Sequence, residues 1–190
     1  MGRIFATEFV SLDGVVEAPG GGEDFEHAGW SFDIDRGEEG NKFKLDETLE
    51  TEALLLGRKT YEGFAAAWPQ REGEFADKLN RMPKYVVSST LGTPEWSNTT
   101  ALRGTLVQDV GRLRERHGGP IAVHGSPSLV QGLLEHDLLD ELRLMVYPVV
   151  LGKGKRLFGS TTRKKRMRLR SSMVVGDGVE ILIYEAVRSG

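Results

Sequence analysis

LLLGRKTYE, at residues 54–62, is the stretch around which the rest of the chain can be arranged. A short apolar run ends at Gly57, and a basic segment with helical potential follows at once from Arg58. This pattern predicts a buried strand, a tight turn and the first turn of a helix. The first N–H groups of a helix lack partners within it, and with Arg58 beside them they would suit a phosphate group. Strand–glycine–helix junctions are common in α/β proteins, so the evidence that this junction gives for phosphate binding depends on similar junctions elsewhere in the chain.

Length and composition limit the class of protein. The chain has 190 residues, which fits a single domain, residues 1–190, with a substantial core. It contains no cysteine, which excludes disulfides and cysteine-based zinc sites, and no histidine shows metal-ligand spacing. No apolar run approaches the roughly 20 residues of a membrane helix, and the N-terminus lacks a signal-peptide core. We therefore expect a cytoplasmic protein with no membrane partner and no metal.

The charge pattern bears on nucleic acid as a partner. The net charge of −3 argues against it. Residues 163–170 are strongly basic, but Met167 and Leu169 alternate there with Arg168 and Arg170, as on a strand with one solvated face. No aromatic residue is interleaved, as a single-strand binder would need. We expect a small-molecule substrate and no nucleic acid.

Strand-like and helix-like segments alternate up to about residue 137. Strands are predicted at residues 4–10, 53–56, 84–90, 99–102 and 120–124, and helices at 41–50, 59–67, 75–81, 107–117 and 127–135. Beyond residue 137 the predicted strands are 141–151, 167–175 and 179–187, the last two forming a hairpin. The expected fold is α/β: a single mixed, mostly parallel β-sheet of about eight strands, with helices on both faces and a C-terminal antiparallel hairpin.

Residues 17–40 form a long loop-like segment with a glycine triplet and scattered aromatic residues. A loop of this length within a compact domain is typical of a lid or a binding loop. Trp30 and Phe32 either stack on a substrate ring or anchor the loop against the core, and the sequence leaves both interpretations open.

Three strand ends share one design: GRKT at 57–60, VSST at 87–90 and HGSP at 124–127. In an open α/β sheet, ligands collect beyond the carboxyl ends of the parallel strands. The first and third junctions open helices, with Ser126 as a candidate N-cap before Pro127, and the second presents hydroxyl groups. Together they predict a site for a dinucleotide, whose two phosphates lie between two nucleosides.

Two polar residues follow the first predicted strand and one ends a later strand. Asp13 is either a polar site residue, our candidate for catalysis and substrate binding, or a turn-forming residue before Gly14. Glu17 is a second substrate-binding candidate, and Trp30 in the loop a third. His124 either satisfies a backbone carbonyl or transfers a proton beside the third junction.

Five motifs in this order resemble the dihydrofolate reductase-like superfamily. The resemblance is narrower to the branch that contains the C-terminal reductase domain of bifunctional riboflavin-biosynthesis deaminase-reductases. The motifs are SLDG at 11–14, GRKTYE at 57–62, SSTL at 88–91, HGS at 124–126 and PVVLGKG at 148–154.

The resemblance implies NADPH as cofactor, a homodimer, and hydride transfer to a C=N or C=O of a small heterocyclic substrate, as in 5-amino-6-(5-phosphoribosylamino)uracil reductase. It also implies a cofactor site at the three junctions. Arg58, Lys59 and Thr60, after Gly57, would bind phosphates; Ser88, Ser89 and Thr90 the adenosine side with its 2′-phosphate; Gly125 and Ser126, after His124, the diphosphate; and Ala6, with Phe5, would border the nicotinamide.

Two departures from the folate-reducing enzymes leave alternatives open. Those enzymes have a glycine pair where this chain has Gly125 and Ser126, and a proton-donating carboxylate on the first helix. Here nothing in the spacing assigns Asp46 or Glu47 to that role. The deaminase half of the riboflavin enzyme is also missing. The alternatives are a nucleotide-binding or regulatory protein without turnover and a dihydrofolate reductase proper.

Overall fold

The central strand of the protein is β1, Ile4–Ser11, in a computed structural model that describes residues 1–187. It pairs in parallel with β5 (Ile121–His124) on one side and with β6 (Glu141–Tyr147) on the other. All but one of its residues are buried, as expected for a parallel strand covered on both faces.

The other strands extend this centre into one eight-stranded sheet of order β4-β3-β2-β5-β1-β6-β8-β7. The pairs from β4 to β6 are parallel, and β6–β8 and β8–β7 are antiparallel. This confirms the predicted mixed sheet and its C-terminal hairpin. The remaining strands are β2 (Ala53–Gly57), β3 (Lys84–Val87), β4 (Thr99–Leu102), β7 (Arg166–Val175) and β8 (Val179–Val187).

Five α-helices pack on the two faces of the sheet. They are α1 (Gly37–Glu50), α2 (Arg58–Ala67), α3 (Glu74–Arg81), α4 (Leu106–Arg116) and α5 (Pro127–Glu135). One apolar cluster joins the sheet to α4 and α5, and a second joins its other face to α2 and α3. None of the helices among residues 1–187 combines the length and apolarity needed to cross a bilayer.

Two predicted strands extend too far. β3 ends at Val87, so the three hydroxyl residues at 88–90 lie in the loop beyond it. The predicted strand 141–151 is wrong beyond Tyr147. Pro148 has no N–H to donate to a ladder, and the chain turns there, with Val149 N–H bonded to the Tyr147 carbonyl.

The loop between β1 and α1 is anchored by Trp30, in a short 3₁₀ helix (Trp30–Asp33). Its side chain is 3% exposed, its ring meets Tyr147 edge to face at 5.5 Å, and its indole N–H donates to the Glu17 carbonyl at 2.8 Å. Trp30 therefore anchors the loop, while Phe32 is exposed. The loop is thereby fixed over the carboxyl end of the sheet.

β7 forms the outer edge of the sheet and is exposed over most of its length. Arg168 and Arg170 both bind Glu185 on β8 at 2.8 Å, so the basic segment lies on a solvated strand face with acidic partners. Leu169 and Val174 on the same strand are exposed apolar residues. An unpaired edge of this kind suits association between copies, and the homodimer stays a prediction.

Candidate functional site

A crevice of about 1630 Å³ opens at the carboxyl ends of the parallel strands. It is larger than the roughly 300–1,000 Å³ of ordinary small-ligand pockets, which leaves room for a dinucleotide with a second ligand. It is lined by the middle of β1 (residues 7–9), the ends of β2, β3 and β5, the starts of α2 and α5, one face of α1 and the loop at residues 16–24.

The first and third predicted junctions line this crevice, whereas only Val87 of the second junction does. The strands that carry the junctions, β3, β2 and β5, are adjacent and parallel. The Gly57 N–H donates to the Ser126 hydroxyl at 2.9 Å. A Cβ built on Gly125 would lie 3.4 Å from the Thr60 side chain. The Arg58 guanidinium donates to the Thr90 hydroxyl at 2.8 Å. The first and third junctions thus touch directly, and Arg58 links them to the second.

The starts of α2 and α5 keep their donors free of side-chain caps. Ser126 occupies the N-cap position of α5, with Pro127 at the start of the helix, as predicted, but its side chain makes no capping hydrogen bond. Its backbone is left-handed (φ 60°), and its hydroxyl accepts from Gly57 and donates to the His124 carbonyl instead. Uncapped N–H groups beside Arg58 and Lys59 fit an anion such as a diphosphate.

The hydroxyl residues of the second junction, Ser88, Ser89 and Thr90, are not among the residues that line the crevice. The Ser88 hydroxyl accepts from the backbone N–H of Thr90 and of Leu91, which shapes the turn. Sequence reasoning missed Arg103, whose guanidinium donates to the Ser89 carbonyl at 3.0 Å. Arg103 follows β4 rather than one of the three junctions, so only the pairing of β4 with β3 brings it there.

His124 lines the crevice and is 7% exposed. Burial, with Lys44 nearby, lowers the pKa of His124 to about 3, so the imidazole is neutral at physiological pH. Its Nε2 has no partner among the described residues, and its ring lies 6.2 Å from that of Phe64. The Nε2 atom of a neutral imidazole can donate or accept one hydrogen bond with a ligand, depending on the tautomer, but it adds no positive charge to a phosphate site.

Asp13 lies outside the residues that line the crevice. Its carboxylate accepts from the Ser11 hydroxyl at 2.6 Å and from the backbone N–H groups of Leu151 and Gly152 at 3.1 and 2.9 Å. These bonds lower the pKa of Asp13 to about 2. The carboxylate therefore joins the turn after β1 to the segment after β6. These contacts agree with the turn-forming interpretation of Asp13 and add a bond to a distant loop.

Replacing Asp13 by asparagine should lower the free energy of unfolding at neutral pH, since the amide loses the charge and one acceptor. Because the folded pKa is depressed from 3.8 to about 2, the stabilisation is present above pH 3.8 and is lost as the pH falls toward 2. Denaturant unfolding at several pH values should show the two proteins converging in acid. The same change at exposed Asp33 is the control. Parallel curves at all pH values would contradict the bonding of Asp13.

The other predicted substrate and nicotinamide residues divide between the crevice and the core. Glu17 lines the crevice, and its carboxylate accepts from the Lys155 N–H at 2.8 Å. Trp30 anchors the loop and is absent from the lining. Ala6 is fully buried within β1, immediately before the residues of that strand, 7–9, that line the crevice. Lys59 forms an ion pair with Glu23 of the loop, which brings the loop close to the first junction.

Sequence reasoning missed two buried ionisable residues in the lining, Glu8 on β1 and Lys44 on α1. The Lys44 ammonium donates to the Thr7 hydroxyl at 2.9 Å and to Glu47 at 2.5 Å. The available signals were a glutamate inside an apolar strand, and polar residues at helical spacing along α1 (Lys44, Glu47 and Thr48).

α1 presents a cation to the crevice where a folate-reducing enzyme would need a carboxylic acid. Asp46 is exposed and pairs with Lys42. Glu47 is buried but pairs with Lys44 and, at 3.5 Å, with Arg143. Neither carboxylate lines the crevice, which argues against a dihydrofolate reductase proper.

Comparisons with known proteins agree with this architecture. Over 188 residues the chain is 27% identical to the uncharacterized protein YyaP of Bacillus subtilis (strain 168), covering 96% of this chain and 94% of that protein. A Shewanella sp. PV-4 structure named "Putative riboflavin biosynthesis protein" superposes with a TM-score of 0.80 at 21% identity, covering 98% and 99% of the two chains. Dihydrofolate reductase from Enterococcus faecalis, complexed with NADP(H), gives a TM-score of 0.59 at 15% identity over 98% of both chains.

These structural likenesses show a dihydrofolate reductase-like fold. The sequence model of one family, the RibD C-terminal domain, matches residues 3–181, nearly the whole chain. The chain belongs to the RibD C-terminal domain family.

Proposed function

We propose that the protein is an NADPH-dependent reductase that transfers hydride to a C=N or C=O of a small heterocyclic substrate. The substrate class we propose is that of 5-amino-6-(5-phosphoribosylamino)uracil. One observation carries the proposal: the junctions at Gly57 and Gly125 touch and line a crevice large enough for a dinucleotide and a substrate, and Arg58 links this crevice to Thr90 of the second junction. Family membership supports the same reading.

The bound nicotinamide supplies the hydride, and the chain supplies position and exclusion of water. The starts of α2 and α5 would hold the diphosphate, since residues of both starts line the crevice and no side chain caps either helix. The Arg58 guanidinium donates to Glu62 at 2.7 Å and to Thr90 at 2.8 Å, and this contact with the second junction supports its assignment to the adenosine side. The anchored loop at residues 16–24 covers the other end of the crevice.

Titration of NADPH by its fluorescence tests the cofactor, and loss of nicotinamide absorbance with the aminouracil tests the reaction. We expect saturable binding at micromolar concentration or below, and oxidation that depends on the aminouracil. Absence of NADPH binding would defeat the proposal. If NADPH binds but no imine or carbonyl compound causes its oxidation, the alternative of a nucleotide-binding protein without turnover would be favoured instead.

Replacing Arg58 by glutamine together with Ser89 by alanine should weaken NADPH roughly 10- to 100-fold, the range for lost hydrogen bonds to a charged group. NADH, which lacks the 2′-phosphate, should lose much less affinity. Parallel titrations of both dinucleotides measure the ratio. Arg112, exposed on α4 and remote from the crevice, provides the control substitution to glutamine. Equal losses for NADPH and NADH would refute the assignment of these residues to the 2′-phosphate.

A further inference from the structure

Glu8 is a buried carboxyl group at the crevice that no part of the proposed cofactor site uses. It lies on β1 beside Leu144 of β6, is 3% exposed, and belongs to the lining of the crevice. Its Oε1 has no hydrogen-bond partner among residues 1–187. A buried polar atom without a partner is rare, and here it borders a space sized for ligands.

The surroundings of Glu8 favour its neutral form. Burial raises the pKa of Glu8 from 4.5 to about 8, and the charge of Lys44 on α1 opposes this only in part. On β6, Arg143 is level with Thr7 and therefore on the opposite face of the sheet. On β5, His124 is neutral. Glu17, from the loop, shares the crevice lining, and its carboxyl group offers Glu8 no positively charged partner.

We propose that Glu8 is the catalytic acid of this crevice, donating its carboxyl proton to the substrate nitrogen or oxygen as the adjacent carbon is reduced. The inference rests on the proposed function. The other candidates are less suited: Asp13 is ionised and lies outside the lining, and His124 is a neutral imidazole with a depressed pKa.

The step balances with a reduced nicotinamide dinucleotide as the hydride donor. The hydride and its electron pair form the new C–H bond at the substrate carbon. The π electron pair of the C=N or C=O takes the proton from the Glu8 O–H, which leaves an amine or alcohol and a Glu8 carboxylate. The charge of Lys44, whose ammonium binds Thr7 on the other face of the sheet, attracts that carboxylate, and water entering the opened crevice returns the proton.

The inference also restricts the substrate. A neutral carboxylic acid donates one hydrogen bond, so the group facing Glu8 must be an acceptor such as an imine nitrogen or a carbonyl oxygen. A carboxylate there could accept this hydrogen bond but would not be reduced by a nicotinamide hydride. Anionic parts of the substrate therefore belong at Lys44 or the helix starts rather than at Glu8.

Infrared difference spectra of wild type minus Glu8→Gln, recorded at neutral pH with saturating NADPH, test the proton directly. We expect the carbonyl stretch of a protonated carboxylic acid, and we expect it to move when the aminouracil is added. Glu180→Gln, which removes an exposed carboxylate on β8, should show no such band. A carboxylate band from Glu8 in protein that binds NADPH overturns the inference but leaves the proposed cofactor intact.

Kinetics supply the second measurement. Glu8→Gln should lower kcat about 100-fold or more, the range for loss of a general acid, while NADPH affinity stays within about threefold. The wild-type rate should decline as the pH rises through about 8, and the variant should lack this limb. Equal rates for wild type and Glu8→Gln overturn the role of Glu8 and leave the proposed function intact. NADPH binding by wild type without reduction of any imine or carbonyl probe defeats the proposed function, and the role of Glu8 with it. Loss of NADPH binding by wild type would likewise defeat the proposed function.

Discussion

Gly125→Ala is expected to weaken NADPH binding roughly 10- to 100-fold, the equivalent of about 1.4–2.7 kcal/mol. Gly125 has a φ of +54°, and a Cβ there would stand 3.4 Å from both Cγ2 and Oγ1 of Thr60. The methyl group would thus fill the approach between the end of β5 and the start of α2, where the diphosphate must reach backbone N–H groups. The left-handed backbone adds a stability cost of about 1–2 kcal/mol.

The control must separate this blocked approach from backbone strain. Gly178, in the turn between β7 and β8, also has a positive φ of +91°, and a Cβ there would meet only Pro148 at 3.9 Å. Gly178→Ala should therefore show a similar loss of unfolding free energy with unchanged NADPH affinity. Isothermal or fluorescence titration, with denaturant unfolding of both variants, gives the two quantities. Unaltered NADPH affinity in Gly125→Ala would place the diphosphate elsewhere.

The sequence was sufficient to predict the sheet and the proximity of the junctions, because both follow from local periodicity and the geometry of parallel strands. The apolar run before Gly57 is a strand, and β2, β3 and β5 place their carboxyl ends side by side. Strand ends were less predictable, as at Tyr147, since a strand ends where its partner or its N–H donors end.

Side-chain roles depended on contacts between residues far apart in the chain. The hydroxyl of Ser126 binds Gly57, 69 positions away, rather than its own helix. The carboxylate of Asp13 binds Leu151 and Gly152 rather than facing the crevice. Local patterns favour capping and turn roles for such residues, and they contain no information about partners brought together by the sheet.

Glu8 shows the same limit for a buried ionisable group. In the sequence it is one polar residue within an apolar strand, and its significance comes from the crevice above it and from Lys44 on α1. Natural sequences depart from local sequence–structure preferences most often at functional sites, because the chemistry there requires residues that the local structure disfavours. A glutamate in a central strand is such a break, and its cost in stability can be measured.

Glu8→Gln is expected to be more stable than wild type at alkaline pH, by at most about 5 kcal/mol. The pKa of Glu8 is about 8 in the folded protein and 4.5 ordinarily, so between these values the folded state holds a proton that the unfolded state has released. Wild-type stability therefore falls as the pH rises from 4.5 to about 8 and then levels off. Glutamine has the same shape and no proton to lose, so it lacks this decline.

Denaturant unfolding of wild type and Glu8→Gln across that pH range measures the difference, in which all the other titrating groups cancel. The gap should be small near pH 4.5 and should widen toward pH 8, with a slope that approaches about 1.4 kcal/mol per pH unit. Glu180→Gln, at an exposed position, is the control. A flat difference for Glu8→Gln would mean that Glu8 ionises freely in the folded protein, and a group that ionises freely at neutral pH has no proton to give to a substrate.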